Sequence, residues 1–138
     1  MSFLHESLER PEKDLVTRPK RPWSAKFGDA LRGLKLGIRG HSSFFVHFFF
    51  SALVLAAAGI LGCELEQLCL LLLCIGLVLT AELFNSAVET LFRGLDDTTK
   101  QRTWQCLDIS AGAVLMASVF AVVIGVMIFS NRLLAIFE

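Results

Sequence analysis

Three long apolar runs decide what this chain can fold into. Residues 44–62, FFVHFFFSALVLAAAGILG, and 109–130, ISAGAVLMASVFAVVIGVMIFS, contain no Asp, Glu, Lys or Arg. Each reaches the roughly 20 residues that carry a helix across a ~30 Å hydrocarbon layer. A third run, 68–92, is as apolar in its first half but closes on AELFNSAVETLF, which brings two glutamates, an asparagine and a serine into the segment. The expected fold class is all-α integral membrane, with three transmembrane helices at about 44–62, 68–92 and 109–130.

The residues before the first run divide in two. Residues 1–23 hold all three prolines and mixed charges, and read as a solvated, flexible tail. From 24 to 40, Phe27, Ala30, Leu31, Leu34 and Ile38 recur at helical spacing, with Lys26, Asp29, Arg32, Lys35 and Arg39 between them. That pattern is an amphipathic helix for a membrane surface, its cations suited to anionic head groups. Residues 24–138 therefore form one membrane domain. The charged first 40 residues and the long, late first span argue against a cleaved signal peptide. Cys63, Cys69, Cys74 and Cys106 show no metal-binding spacing and are expected to be packing residues. Hydrophobic residues make up 54% of the chain, an excess that needs lipid or a very large core, and no nucleic-acid partner is expected.

Charge distribution fixes the expected topology. Nine of the thirteen Lys and Arg lie between Arg10 and Arg39, and Arg93, Lys100 and Arg102 lie between the second and third runs. The connection CELEQ carries two glutamates and no cation. The positive-inside rule places the N-terminus and the 93–107 loop in the cytoplasm, with Arg132 as a dissenting charge on the other side.

On a helix advancing 100° per residue, Glu82, Asn85, Ser86 and Glu89 point at about 0°, −60°, +40° and −20°, a single stripe. A carboxylate deep in a bilayer costs on the order of 2.5–3.5 kcal/mol, so the stripe must face protein, water or a bound ion. One alternative is that Asn85 and Ser86 only knit helices together and that Glu89 sits at the interface. A carboxylate at Glu82, about 10 Å deeper along the axis than Glu89, asks for more than packing. Glu89 is placed to hold Mg²⁺ on nucleotide phosphates, and Glu82 to take a proton from a lipid hydroxyl.

AELFNSAVETL resembles the E-x-x-N-S-A-x-E signature of the small prokaryotic diacylglycerol kinase and undecaprenol kinase family. RGLKLGIRGHSSFFVHF and CLDISAGAVLMAS are similar to that family's approaches to the first and third spans, so the resemblance covers about residues 22–130. It implies a homotrimer in the bacterial inner membrane, with active sites between subunits and MgATP-dependent phosphorylation of a lipid alcohol, either diacylglycerol or undecaprenol. It implies Glu82 as general base, Asn85 as a positioning residue beside it, Glu89 as a metal and nucleotide ligand, and Asp108 near the nucleotide. Ser86, Lys35 and Phe44 are the expected lipid contacts.

Two departures bear on the chemistry. A second metal-binding glutamate of the family falls on His41, whose imidazole shifts the expected preference from Mg²⁺ toward Mn²⁺ or Zn²⁺. A lysine falls on Leu107, leaving Lys100 or Arg102 to compensate as a nucleotide contact; Arg93 also stands where an acidic residue is usual. His47 matches a position at which the undecaprenol branch often has histidine, and a neutral core imidazole fits it equally. A catalytically reduced, lipid-binding homologue is the alternative function, and a scaffold whose polar stripe only packs helices is the third.

Overall fold

The structure, a computed structural model, describes residues 22–40 and 43–137. Five helices account for nearly all of them: α1 Trp23–Gly40, α2 Ser43–Ile60, α3 Leu65–Arg93, α4 Asp97–Thr103 and α5 Gln105–Phe137. Among the described residues there is no strand, and α2, α3 and α5 are long and apolar enough to cross a membrane. Residues 1–21 of the expected tail at 1–23, and the candidate ligand His41, lie outside the described residues; Trp23, the last residue of that tail, already begins α1.

The contact network divides within α1, between Leu31 and Arg32. The part up to Leu31 exposes Trp23, Phe27 and Leu31, and Lys26 Nζ stands 4.5 Å from the centre of the Trp23 ring. In the second unit α3 is the central element, packing chiefly on α5 and secondarily on α2, while α2 and α5 have little direct contact. Ala58, Leu71 and Ile128 form the buried core, with Val54, Leu68 and Phe129 against it, toward the α2–α3 turn. That turn is specified locally. Gly62 takes φ +63°, the left-handed value that favours glycine. The Cys63 and Gly62 N–H groups donate to the Ala58 and Gly59 carbonyls, a Schellman end for α2.

Little of each span is buried within the chain, and large apolar side chains such as Phe45, Phe49, Leu73, Val119 and Met127 are exposed. Lipid or other copies of the chain must cover them.

α5 runs past the expected end at 130, and Arg132 within that extension is neutralised. Its Nη2 lies 2.9 Å from Glu64 Oε1, and its Nε donates to Gln67 Oε1 at 2.7 Å. Gln67 also accepts the Glu64 N–H at 3.0 Å, which closes the first turn of α3. The charge that dissented from the topology rule is thus tied to the start of α3.

The expected loop at 93–107 contains α4. Asp96 caps it, accepting from the Thr99 N–H at 3.1 Å and the Thr99 hydroxyl at 2.6 Å. These bonds hold the Asp96 carboxyl below its ordinary pKa. Cys74 is buried and Cys63 half-buried, but Cys69 and Cys106 are exposed, so those two do not pack within the chain as expected.

Length sets depth. α3 has 29 residues, about 43 Å against a ~30 Å hydrocarbon layer. Counted from Leu68, the layer ends near Ala87. Glu82 then lies about 8 Å inside it and Glu89 just outside.

Candidate functional site

The stripe on α3 is buried where it is deepest. Glu82 is 2% exposed, Asn85 8% and Ser86 1%. Two α2 residues meet the Glu82 carboxylate: the Ser43 hydroxyl donates to Oε1, and His47 Nε2 stands 3.7 Å from Oε2. α1 also closes on this level. A Cβ at Gly37 would run into Leu83 Cδ1, so glycine permits the approach of its last turns to α3.

One turn further along, Asn85 joins α3 to α5. Its Nδ2 donates to Glu89 Oε1 at 3.0 Å, and its Oδ1 accepts from the Ser110 hydroxyl at 2.7 Å. Arg93 Nη2 donates to Glu89 Oε2 at 3.3 Å. Both carboxylate oxygens of Glu89 are therefore oriented. A cavity of about 340 Å³ opens here between the end of α3 and the start of α5, lined by Glu89, Phe92, Arg93, Leu107, Asp108 and Ala111. Glu89 and Asp108 bring two carboxylates to it from opposite helices.

Among the described residues no group of three His, Cys, Asp or Glu comes together. Two carboxylates are too few for an all-protein metal cage. They match what Mg²⁺ takes when phosphate oxygens and water complete its shell.

Ser86 has no hydrogen-bond partner for its buried hydroxyl. Its helical neighbours behave differently: Ser51, Thr80, Thr90 and Thr103 each donate to the carbonyl four residues back. An unpaired buried hydroxyl costs about 1–3 kcal/mol. Ser86 is the polar group of this face that the chain itself leaves unsatisfied.

The other expected site residues are dispersed. Lys100 is on α4, 3.8 Å from Asp97 Oδ1 and outside the cavity lining. Lys35 is exposed on α1. Phe44 is 2% exposed and packs on Phe48, with ring centres 6.0 Å apart. Ser43 and Ser110 are polar partners of the stripe that sequence reasoning did not single out; both lie in the quoted approaches to the first and third spans.

A family model described as prokaryotic diacylglycerol kinase matches residues 28–129. No curated protein and no solved structure matches the chain.

Proposed function

Because the chain belongs to the prokaryotic diacylglycerol kinase family, we propose that it transfers the terminal phosphoryl group of ATP to a membrane lipid alcohol, with diacylglycerol the first candidate acceptor and undecaprenol the second. The observation that carries this reading is the separation of two acidic sites along one helix face. Glu82 is buried at a depth inside the apolar layer, and Glu89 opens about 10 Å away into a cavity at its edge that Arg93 and Asp108 also line. A lipid hydroxyl is the substrate group at the depth of the first, and a nucleotide reaches the second from water.

Each residue then has a task. Glu82 accepts the proton of the lipid hydroxyl, and the unsatisfied Ser86 hydroxyl bonds that same lipid. Asn85 holds Glu89 in place and ties it to α5 through Ser110. Glu89 and Asp108 would hold Mg²⁺, which supplies charge neutralisation to the phosphates when bound. Arg93 supports the phosphates from the same cavity and is, among the described residues, the one cation in the lining that it shares with Leu107. This gives the nucleotide a positive charge without the lysine that the resemblance leads one to expect at 107. Lys100, paired with Asp97, has the smaller part.

The cationic α3–α5 connection and N-terminal region favour the cytoplasmic side of the bacterial inner membrane for this end of the bundle. The largely exposed spans leave faces for further copies of the chain, and the family resemblance favours three copies. Leu107 in the cavity wall favours one second reading, a homologue that binds lipid without phosphorylating it.

One experiment decides between them. The purified protein is given γ-labelled ATP with diacylglycerol or undecaprenol, in Mg²⁺ and in Mn²⁺. Labelled phosphatidic acid or labelled undecaprenyl phosphate is expected. No labelled lipid in either metal rejects the kinase reading.

A further inference from the structure

A buried carboxylate that takes a proton must pass it on before the next turnover, and the surroundings of Glu82 offer one group able to receive it. Among the described residues, His47 is the only titratable or cationic side chain within ion-pair reach of Glu82, its Nε2 at 3.7 Å from Oε2. Oε1 is already engaged by the Ser43 hydroxyl, so the two oxygens are differentiated. The imidazole is about one-fifth exposed, while Glu82 is sealed. His47 also lines a second cavity, of about 470 Å³, between α2, α3 and α5. It therefore touches the carboxylate on one side and open space on the other.

We propose that His47 is the positioning residue behind Glu82: it receives the proton that Glu82 takes from the lipid hydroxyl and so restores the carboxylate. The inference rests on the lipid-kinase reading above. In the step, the lipid O–H bond breaks and its proton bonds to Glu82. The lipid oxygen forms a bond to the γ-phosphorus of ATP, and the bond from that phosphorus to the departing ADP oxygen breaks. Oε2 of Glu82 then yields the proton to Nε2 of His47, and the imidazolium releases it to water. No other reactant is needed.

The titratable groups facing His47 are few. α3 presents Glu82 and, across the cavity, Cys74. The α5 wall presents Ser118, Ala121, Val122 and Gly125, none of which titrates in the neutral range. A neutral imidazole is required to receive the proton.

The test measures kcat and KM for the lipid in the full-length wild type, His47→Ala and His47→Gln. His47→Ala is expected to lower kcat about 100-fold with little change in KM. Added imidazole, which the adjoining cavity admits, restores its turnover; pyrazole, a ring of the same size and far weaker basicity, does not. His47→Gln keeps a polar contact with Glu82 but accepts no proton, and stays slow. Wild-type kcat in either variant, or equal rescue by both rings, overturns the inference. Should His47→Ala fail to fold, the Gln variant decides alone. A wild type that labels no lipid rejects the kinase reading and this inference with it, whereas an active wild type with unaffected variants rejects the role of His47 only.

Discussion

Replacing Glu82 with Gln should make the protein more stable while abolishing its turnover. The carboxylate is 2% exposed and lies about 8 Å inside the layer that α3 crosses. An ionised acid at the centre of a span costs on the order of 2.5–3.5 kcal/mol, and less toward the boundary. Gln keeps an acceptor for the Ser43 hydroxyl and gives up only the 3.7 Å approach of His47, worth roughly 0.5–1 kcal/mol. The balance is a gain of about 1–2 kcal/mol, which for a chain of this size is an increase in Tm of about 3–8 °C. Loss of the general base removes about 10²–10⁴ in kcat. The assays are thermal unfolding in one detergent, read by circular dichroism, and phosphorylation of diacylglycerol under the same conditions. A variant less stable than the wild type would show that the carboxylate is a structural partner. Retained turnover would remove it from the base role. Opposite signs for stability and rate are what identify a residue kept for chemistry at the expense of the fold.

Three further outcomes are expected. Ser86→Ala should be neutral or stabilising by up to about 1 kcal/mol, because it removes an unpaired buried hydroxyl, and it should raise KM for the lipid; a destabilised variant with unchanged KM would refute this. Arg132→Leu should destabilise the α3–α5 pair by about 1–2 kcal/mol through loss of the bond to Gln67 and the pair with Glu64, read as a lowered Tm with little change in kcat. Because bonds from Thr99 lower the Asp96 pKa, the cap on α4 contributes fully above the ordinary carboxylate range and is lost as the pH falls through the lowered value. Amide exchange at Thr99 should accelerate over that acid interval, and Asp96→Ala should exchange fast at neutral pH too.

The spans were legible because membrane crossing is a statement about length and charge, both local properties of the sequence. The stripe was legible for the same reason: 100° per residue puts Glu82, Asn85, Ser86 and Glu89 together before any neighbour is known. What lay hidden depends on register between helices. Whether Ser43 and His47 meet Glu82, or Ser110 meets Asn85, turns on how α2 and α5 slide along α3, and no periodicity encodes that. The partner of Arg132 was hidden likewise, since it is Gln67, 65 residues away. α4 is a different case. Asp96 followed three residues later by Thr99 is a capping signal readable in the sequence, but seven residues between two spans carry too weak a pattern to distinguish from a connection.

The two ends of α3 show how the chain treats a charge it needs only for structure and one it needs for something else. At the first end Arg132 is met by Glu64 and Gln67, so a permanent cation has a permanent anion and the pair does nothing but join helices. Glu82 departs from this pattern. Its counterpart is a histidine, which is charged only when it has taken a proton, and its other contact is a neutral serine. An Arg at position 47 would fix the carboxylate more firmly, and would also leave a departing proton with nowhere to go. The choice of a weak, titratable partner for the most deeply buried acid is the arrangement expected when that acid must gain and lose a proton in every cycle. It is not the arrangement that helix packing alone would select.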